Sequence, residues 1–261
     1  MELGTVLLSA LVSGALALVT TFWGPTLRAR RERKDTAEDL VARFRDVLLT
    51  SANDLQSRIY NILELGFLEA YYEPAADGGE GDGYAELNTL YVLAQHLCWH
   101  EILRRDSGYL LLRSDPQGAD LDAGLDALGR ELATDRVPSP FRVFWGDKRA
   151  IGEIMIVERG TGDAARPDCL GYAEFVERME DPRFARWFGQ LRTDLPEIAE
   201  AIRDHRPPER LIRLHGRLID VLDVLDPDCL RVPEESRRRL PERLTEADRP
   251  PPPDWYAPAS Y

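Results

Sequence analysis

The first feature of the hydrophobic pattern is an apolar stretch at the amino terminus. From Leu3 to Trp23 the sequence contains no charged residue. These 21 residues, at about 1.5 Å each, give a helix of roughly 31 Å, which matches the roughly 30 Å hydrocarbon core of a bilayer. Gly24 and Pro25 then interrupt the pattern. We therefore expect residues 1–25 to form a single transmembrane helix that anchors the chain in a lipid bilayer.

A basic segment follows the apolar stretch directly. Residues 26–34 contain the cations Arg28, Arg30, Arg31, Arg33 and Lys34. Because cations beside a span stay in the cytoplasm, this segment predicts an external amino terminus and a cytoplasmic domain at the inner membrane. The alternative is a cleaved signal peptide, which requires basic residues before the apolar run and a small-residue cleavage site after it. Neither is present, so the sequence favours the anchor.

Small residues recur along one side of the predicted span. They are Ser9, Ser13, Ala17 and Thr21, at steps of four, with Ala10 and Gly14 beside them. Small side chains allow two membrane helices to approach closely, so this stripe predicts self-association. The alternative is that the stripe has no packing role, because small residues are common in any spanning helix.

Beyond the basic segment the pattern is mainly helical. Asp35 and Glu38 have the spacing of a capping box, with Asp in place of Ser or Thr, and mark a helix start. Apolar residues then recur at steps of three and four through Leu63, as on one face of a helix. Further helical patterns cover 84–112, 121–132, 172–179, 184–191 and 209–225. The predicted fold class is therefore all-α, with a multi-helix cytoplasmic domain over residues 35–230.

Two segments depart from this pattern. Residues 141–158 combine FRVFW and IMIV, which are typical of strands, with GDKRAIGEIM, which is able to begin a helix at Asp147. We interpret this segment as a helix, with a strand as the alternative. Residues 231–261 alternate charges without an apolar stripe and end in four consecutive prolines and a short aromatic run. This composition predicts an unstructured, Pro-rich tail, with an extended docking segment as the alternative.

Charge and cysteine content narrow the classes of function. The net charge is −13, and the bulk of the chain is acidic, so the electrostatic attraction that nucleic-acid binding requires is missing. Of 33 basic residues only Lys34 and Lys148 are lysine, which we interpret as the coding bias of a high-GC bacterial genome. The cysteines, Cys98, Cys169 and Cys229, form no CxxC pair and are expected to be reduced thiols.

One pair of histidines has a spacing that suits a metal. His96 and His100 lie four residues apart in the predicted central helix, and Glu101 follows them. This resembles HExxH, but Leu97 occupies the position of the general base, and no third ligand is evident. The alternative, which we favour, is that these are core histidines satisfied by hydrogen bonds. No glycine spacing typical of nucleotide binding is present, so we expect no cofactor.

Four segments carry a resemblance to a known family. They are LQSRIYNILELGFLEAYY, AQHLCWHEILRRDSGYLLL, KRAIGEIMI and CLGYAEFV. Over roughly residues 50–225 the chain resembles an uncharacterised bacterial family of membrane-anchored helical proteins. The resemblance supports the extent of the domain and implies no activity, cofactor or catalytic residue.

Two functions from different classes are compatible with the sequence. The first is a membrane-tethered interaction, scaffold or regulatory domain that binds a protein partner or a second copy of itself, without catalytic activity. The second is a metal-dependent hydrolase that uses His96, His100 and Glu101. Because the metal motif is incomplete, we favour the interaction domain.

Overall fold

The computed structural model describes residues 24–72, 83–106, 116–137, 140–162 and 165–241, with side chains described from residue 42 onward. The predicted anchor and its small-residue stripe, as well as the side chains of the basic segment, lie outside this description. Within the described residues, no helix is both long enough and apolar enough to cross a bilayer.

The described chain is mainly helical, which confirms the predicted all-α class. In chain order the helices are α1 (Gly24–Glu64), α2 (Phe67–Tyr71), α3 (Tyr84–Arg105), α4 (Pro116–Ala133), α5 (Trp145–Ile154), α6 (Tyr172–Arg178), α7 (Pro182–Ala185), α8 (Gly189–Arg203) and α9 (Glu209–Leu225). Short 3-10 helices cover Arg186–Phe188 and Glu234–Arg237, and the strands are β1 (Ile156–Arg159) and β2 (Arg166–Cys169).

The first helix is longer than the sequence pattern suggested. It begins at Gly24 and continues without a break past Asp35, where the pattern placed a new helix start. Pro25 lies in the first turn, where the missing N–H of proline costs no intrahelical hydrogen bond. No proline or glycine occurs between residues 26 and 64, so nothing in the backbone chemistry requires an interruption.

Five helices form the centre of the core. Helix α9 packs on α1 and α4, α1 packs on α3, and α3 packs on α5. The bounds of α9 match the predicted segment 209–225, because its apolar residues recur with helical periodicity. Its buried leucines include Leu211, Leu214, Leu218, Leu222 and Leu225. Each fully buried leucine contributes about 2 kcal/mol, so α9 is a main source of the stability of the domain.

The ambiguous segment 141–158 contains both kinds of structure. Helix α5 occupies its middle, as we interpreted it, but the chain then turns at Met155 and enters β1. Strand β1 pairs antiparallel with β2, with Ile156 opposite Cys169. The interpretation of the whole segment as a helix is therefore wrong at both ends, since residues 141–144 precede the helix and the last residues form β1. Pairing with a strand about ten residues further on is not visible in the local pattern.

Helix α8 also differs from the sequence pattern, which predicted a helix over 184–191. The structure divides that region among α7, a 3-10 turn and α8, and α8 continues to Arg203 with Pro196 in its interior. A proline inside a helix removes one hydrogen bond. Leu195, Ile198 and Ile202 are buried on the same helix, so packing of this apolar face offsets the loss.

The packed part of the chain extends past residue 230, where the sequence pattern placed the start of an unstructured tail. Val232 is buried, and Arg237 is buried and pairs with Asp226 at 2.6 Å. The Asp226 carboxylate also accepts from the backbone N–H groups of residues 230–232. Hydrogen bonds to a charged group are strong, so the chain is fixed as far as this ion pair. The Pro-rich end of the tail lies outside the described residues.

A buried polar link connects this extension to the core. The Gln56 amide of α1 donates to Ser236 O at 3.2 Å, and its nitrogen lies 2.8 Å from Nε2 of His215 in α9. Burial lowers the pKa of His215 to about 4, so its ring is neutral and Nε2 is able to accept from the amide. His215 therefore has a structural role, since it links α9 to α1.

Candidate functional site

His96 lies in the core and has a hydrogen-bond partner of its own. It is 2% exposed, and its Nδ1 lies 3.3 Å from Ser51 Oγ on α1. Because Ser51 Oγ donates to Leu48 O, the ring N–H of His96 is the donor in their contact. Burial lowers the pKa of His96 to about 3, which keeps it neutral. His96 is therefore a core histidine held by a hydrogen bond.

Glu101 is already held by two arginines. Its buried carboxylate accepts from Arg104 Nε at 2.7 Å and Nη2 at 2.6 Å, and from Arg105 Nε at 2.8 Å. Burial raises the pKa of Glu101, but the hydrogen bonds from these arginines outweigh it, so the pKa lies below its ordinary value. In the described part of the chain, no group of three or more His, Cys, Asp or Glu side chains is placed to hold a metal ion. The structure thus does not assemble His96, His100 and Glu101 into one ligand set.

His100 and Glu101 instead line a small pocket between three helices. The cavity has a volume of about 130 Å³. Its walls are Leu97, His100, Glu101 and Arg104 of α3, Asp126 of α4, and Trp145, Lys148 and Arg149 of α5. We call it the Lys148 pocket. It combines one aromatic wall with several charged groups, a mixture that is typical of sites for small or side-chain ligands.

Lys148 is the least expected member of this pocket. Its side chain is 5% exposed, its Nζ donates to Gly129 O at 3.0 Å, and the same Nζ lies 3.5 Å from the centre of the Trp145 ring. A Cβ at Gly129 would lie 2.5 Å from Nζ, so a larger residue there would require the end of the lysine side chain to move. Two different helices therefore build the position of this cation.

Among the described residues, no carboxylate is bonded to the ammonium of Lys148. Burial lowers its pKa to about 8, and the carboxylate of Asp126 opposes this shift through space and not through a hydrogen bond. At neutral pH the group is therefore still mostly charged. A buried charge without a hydrogen-bonded opposite charge is costly, which makes this a place where an anionic ligand group would be stabilised.

His100 adds an unused polar atom to the same pocket. Its Nε2 is buried and has no hydrogen-bond partner among the described residues. Burial, and then the charge of Lys148, lower the pKa of His100 to about 4, so the ring is neutral and is able to donate or accept one hydrogen bond at Nε2. Unsatisfied buried polar atoms are uncommon in folded proteins, which singles out this position.

Two large aromatic side chains are exposed at the start of α5, and one of them, Trp145, lines the pocket. Phe144, which immediately precedes α5, and Trp145, its first residue, are 53% and 49% exposed. The Arg142 guanidinium lies 4.7 Å from the centre of the Phe144 ring. Exposed aromatic residues next to a cation are enriched at protein interfaces, so this pair is a candidate contact surface.

A constrained turn fixes the direction of these aromatic residues. Phe141 is buried and has a φ of 68°, in the left-handed region that a non-glycine residue rarely adopts. Its N–H donates to the buried Asp194 carboxylate at 2.7 Å, and Val143 N donates to Leu132 O at 2.9 Å. The strained backbone is thus held from two sides just before the exposed pair, as is common near functional sites.

Sequence reasoning identified only part of this pocket. It selected His100 and Glu101 for a metal, but it did not select Lys148, Trp145 or Phe144. One signal was present, because Lys148 is one of only two lysines among 33 basic residues, and arginine cannot adopt a neutral form as lysine can. Interpreted as coding bias alone, the excess of arginine over lysine does not single out Lys148.

Comparison with known proteins assigns no relative to this chain: no family model, curated protein or solved structure matches it.

Proposed function

We propose that this chain is a membrane-tethered helical interaction domain that binds a protein partner through the Lys148 pocket and the Phe144–Trp145 pair. One observation carries the proposal. A buried ammonium group, to which no carboxylate of the described residues is bonded, lies against the half-exposed Trp145 ring, and the half-exposed Phe144 is the preceding residue. Aromatic anchors around a desolvated polar group are the usual composition of an interaction hot spot.

The chemistry of the pocket defines the partner. Lys148 and Arg149 contribute cations, Asp126 contributes a carboxylate, and Glu101 is bound to Arg104 and Arg105. A pocket of about 130 Å³ admits one small side chain or a chain end. We therefore propose a partner segment that places a carboxylate, from Asp, Glu or a carboxyl terminus, next to an apolar side chain. The carboxylate would pair with Lys148, and the apolar side chain would pack on Trp145.

The predicted anchor gives this binding its context. A domain held close to a bilayer meets other membrane-bound proteins at a high effective concentration, so a small interface is sufficient for binding. The proposed interface, which consists of the Lys148 pocket and the Phe144–Trp145 pair, is small. The cytoplasmic side of the inner membrane follows from the basic segment in the sequence.

The interaction is tested by site-specific photo-crosslinking of the full-length chain in membranes. A photo-reactive amino acid replaces Phe144, and the matched control replaces Leu230, which is 81% exposed and lies outside the pocket. We expect a crosslinked partner at position 144 only, joined through a segment that contains an acidic residue or a carboxyl terminus. Equal crosslinking at both positions, or a crosslink only to a second copy of this chain, would contradict the proposal.

A charge variant separates binding from folding. Lys148→Met keeps the length of the side chain but removes the charge, so we expect the crosslink at position 144 to fall at least about tenfold. The same change removes a buried charge, so the free energy of unfolding should be equal or higher than in the wild type. Retention of the crosslink in Lys148→Met would show that the pocket does not recognise a carboxylate.

The tether is tested separately by alkaline extraction of membranes that contain the full-length chain. A transmembrane helix stays in the pellet under these conditions, whereas a peripheral protein enters the supernatant. We expect the chain in the pellet with its amino-terminal residues still attached. Recovery of a soluble chain that lacks those residues would contradict the tether while leaving the pocket interaction open to the crosslinking test.

A further inference from the structure

A second cleft lies on the opposite face of α3 from the Lys148 pocket. It has a volume of about 360 Å³, within the range of small-molecule sites, and lies between α1, α3 and the start of α6. The polar groups that matter for its chemistry are Asp54 and Arg58 of α1 and Asn88 and Gln95 of α3. We call it the Arg58 cleft. It shares no lining residue with the Lys148 pocket, so it stands independently of the proposed function.

Asp54 and Arg58 are placed to form an ion pair but do not form one. They are four residues apart on one helix, a spacing at which acidic and basic side chains normally meet. At the same spacing, Arg178 pairs with Glu174, and Arg213 pairs with Glu209. Arg58 instead donates to Asn88 Oδ1 on α3 and lies 3.7 Å from the centre of the Phe67 ring. The fold therefore holds the two opposite charges apart.

Polar atoms on both α1 and α3 keep unused bonding capacity. Burial lowers the pKa of Arg58, with Tyr84 in opposition, and burial raises the pKa of Asp54, as expected for charges that lack full compensation. Nη1 of Arg58 is buried and has no hydrogen-bond partner among the described residues, and the same is true of Oε1 of Gln95. The cleft thus offers a cationic donor and an anionic acceptor on α1 and a neutral acceptor on α3.

These features determine the charge of a suitable ligand. The cleft contains one cation and one anion, so an anion alone would be repelled by Asp54 and a cation alone would be repelled by Arg58. A compact molecule with both charges satisfies both groups. Side chains four residues apart on a helix have Cβ atoms about 6 Å apart, which suits a ligand whose two charged groups share one carbon atom.

We infer that the Arg58 cleft binds a free α-amino acid, with the ligand carboxylate on Arg58 and the ligand ammonium on Asp54 and Gln95 Oε1. The aromatic rings of Tyr91 and Tyr172 also line the cleft and provide a surface for the ligand side chain. Binding would supply hydrogen-bond partners to Arg58 Nη1 and Gln95 Oε1, which have none among the described residues, and an opposite charge to Asp54.

Isothermal titration of the purified full-length chain with each standard L-amino acid tests this inference. For the tightest ligand, two analogues are compared, namely the carboxylic acid without the amino group and the amine without the carboxylate. We expect saturable binding of at least one amino acid and at least about tenfold weaker binding of both analogues, because each lacks one charge-assisted contact. Absence of binding by every amino acid, or equal binding of the carboxylic acid, would overturn the inference.

Variants locate the binding in the cleft. Arg58→Gln and Asp54→Asn each remove one charge and should weaken binding about tenfold or more. Arg178→Gln and Glu174→Gln, in an exposed pair at the same spacing, are the matched controls and should bind as the wild type does. Circular dichroism verifies folding. Should Arg58→Gln fail to fold, Asp54→Asn and the two analogues decide the question, and unchanged binding by Asp54→Asn would refute the site.

Discussion

The close contact between α3 and α5 forms the wall of the Lys148 pocket, and Gly152 makes that contact possible. Gly152 lies inside α5 and is buried. A Cβ added at this position would lie 2.8 Å from the backbone oxygen of Leu97 and 2.8 Å from the Cβ of Glu101. Both distances are well below the roughly 3.5 Å at which such atoms normally touch. We therefore predict that Gly152→Ala destabilises the protein.

The size of the effect follows from two opposing contributions. Alanine is favoured over glycine in the interior of a helix by about 1 kcal/mol. An extra carbon in a filled space costs about 1 to 3 kcal/mol, and the upper end applies here because the Leu97 oxygen belongs to the backbone of α3 and is not free to rotate away. The expected net result is a loss of about 1 to 2 kcal/mol.

The same helix supplies a control. Gly146 also lies in α5, and a Cβ there would meet no atom within 4 Å. Gly146→Ala should therefore be neutral or slightly stabilising, because only the helix propensity changes. The two substitutions are chemically identical, but Gly152→Ala should lower the free energy of unfolding and Gly146→Ala should not. This difference excludes a general effect of alanine on the chain.

Urea denaturation followed by circular dichroism measures both variants. We expect a lower midpoint with an unchanged slope for Gly152→Ala, and a midpoint equal to or above that of the wild type for Gly146→Ala. Because α5 has to shift, Gly152→Ala should also weaken the crosslink at Phe144. A Gly152→Ala variant as stable as Gly146→Ala would refute the close packing of α3 on α5.

Three further predictions concern stability. Arg210 is fully buried and donates to the carbonyl oxygens of residues 131, 132, 134 and 137. Arg210→Met should therefore lower the free energy of unfolding, measured by urea denaturation, by about 3 to 5 kcal/mol. A loss below about 1 kcal/mol would contradict this role. Burial lowers the pKa values of His96, His100 and His215 to about 3 to 4, below the unfolded value of about 6.5. The unfolded chain therefore binds these protons first, so stability is intact above about pH 6.5 and is lost toward about pH 4. The slope should be at most about 4 kcal/mol per pH unit, and equal urea midpoints at pH 7 and pH 5 would contradict it. His205 has a φ of 56° after the end of α8, so His205→Gly should raise the stability by up to about 1 kcal/mol, whereas a decrease would contradict backbone strain.

The sequence by itself determined the helical class and most helix positions. The apolar residues of α4 and α9 recur at three- and four-residue steps, and prolines or an aspartate mark their ends, so the local pattern is sufficient to locate them. The apolar run before Gly24 likewise predicts an anchor without any tertiary information. These are properties of neighbouring residues, which is why they are readable from the chain.

Only the tertiary structure decided which polar residues carry unused bonding capacity. Lys148 is buried because Gly129 of α4 and Trp145 of α5 meet around it, and Arg58 is drawn from Asp54 because Asn88 lies on a different helix. Periodicity describes one element at a time, whereas burial and the choice of hydrogen-bond partner depend on residues distant in sequence. For that reason the sequence suggested a histidine pair, and the packing of helices revealed a lysine pocket and a divided ion pair.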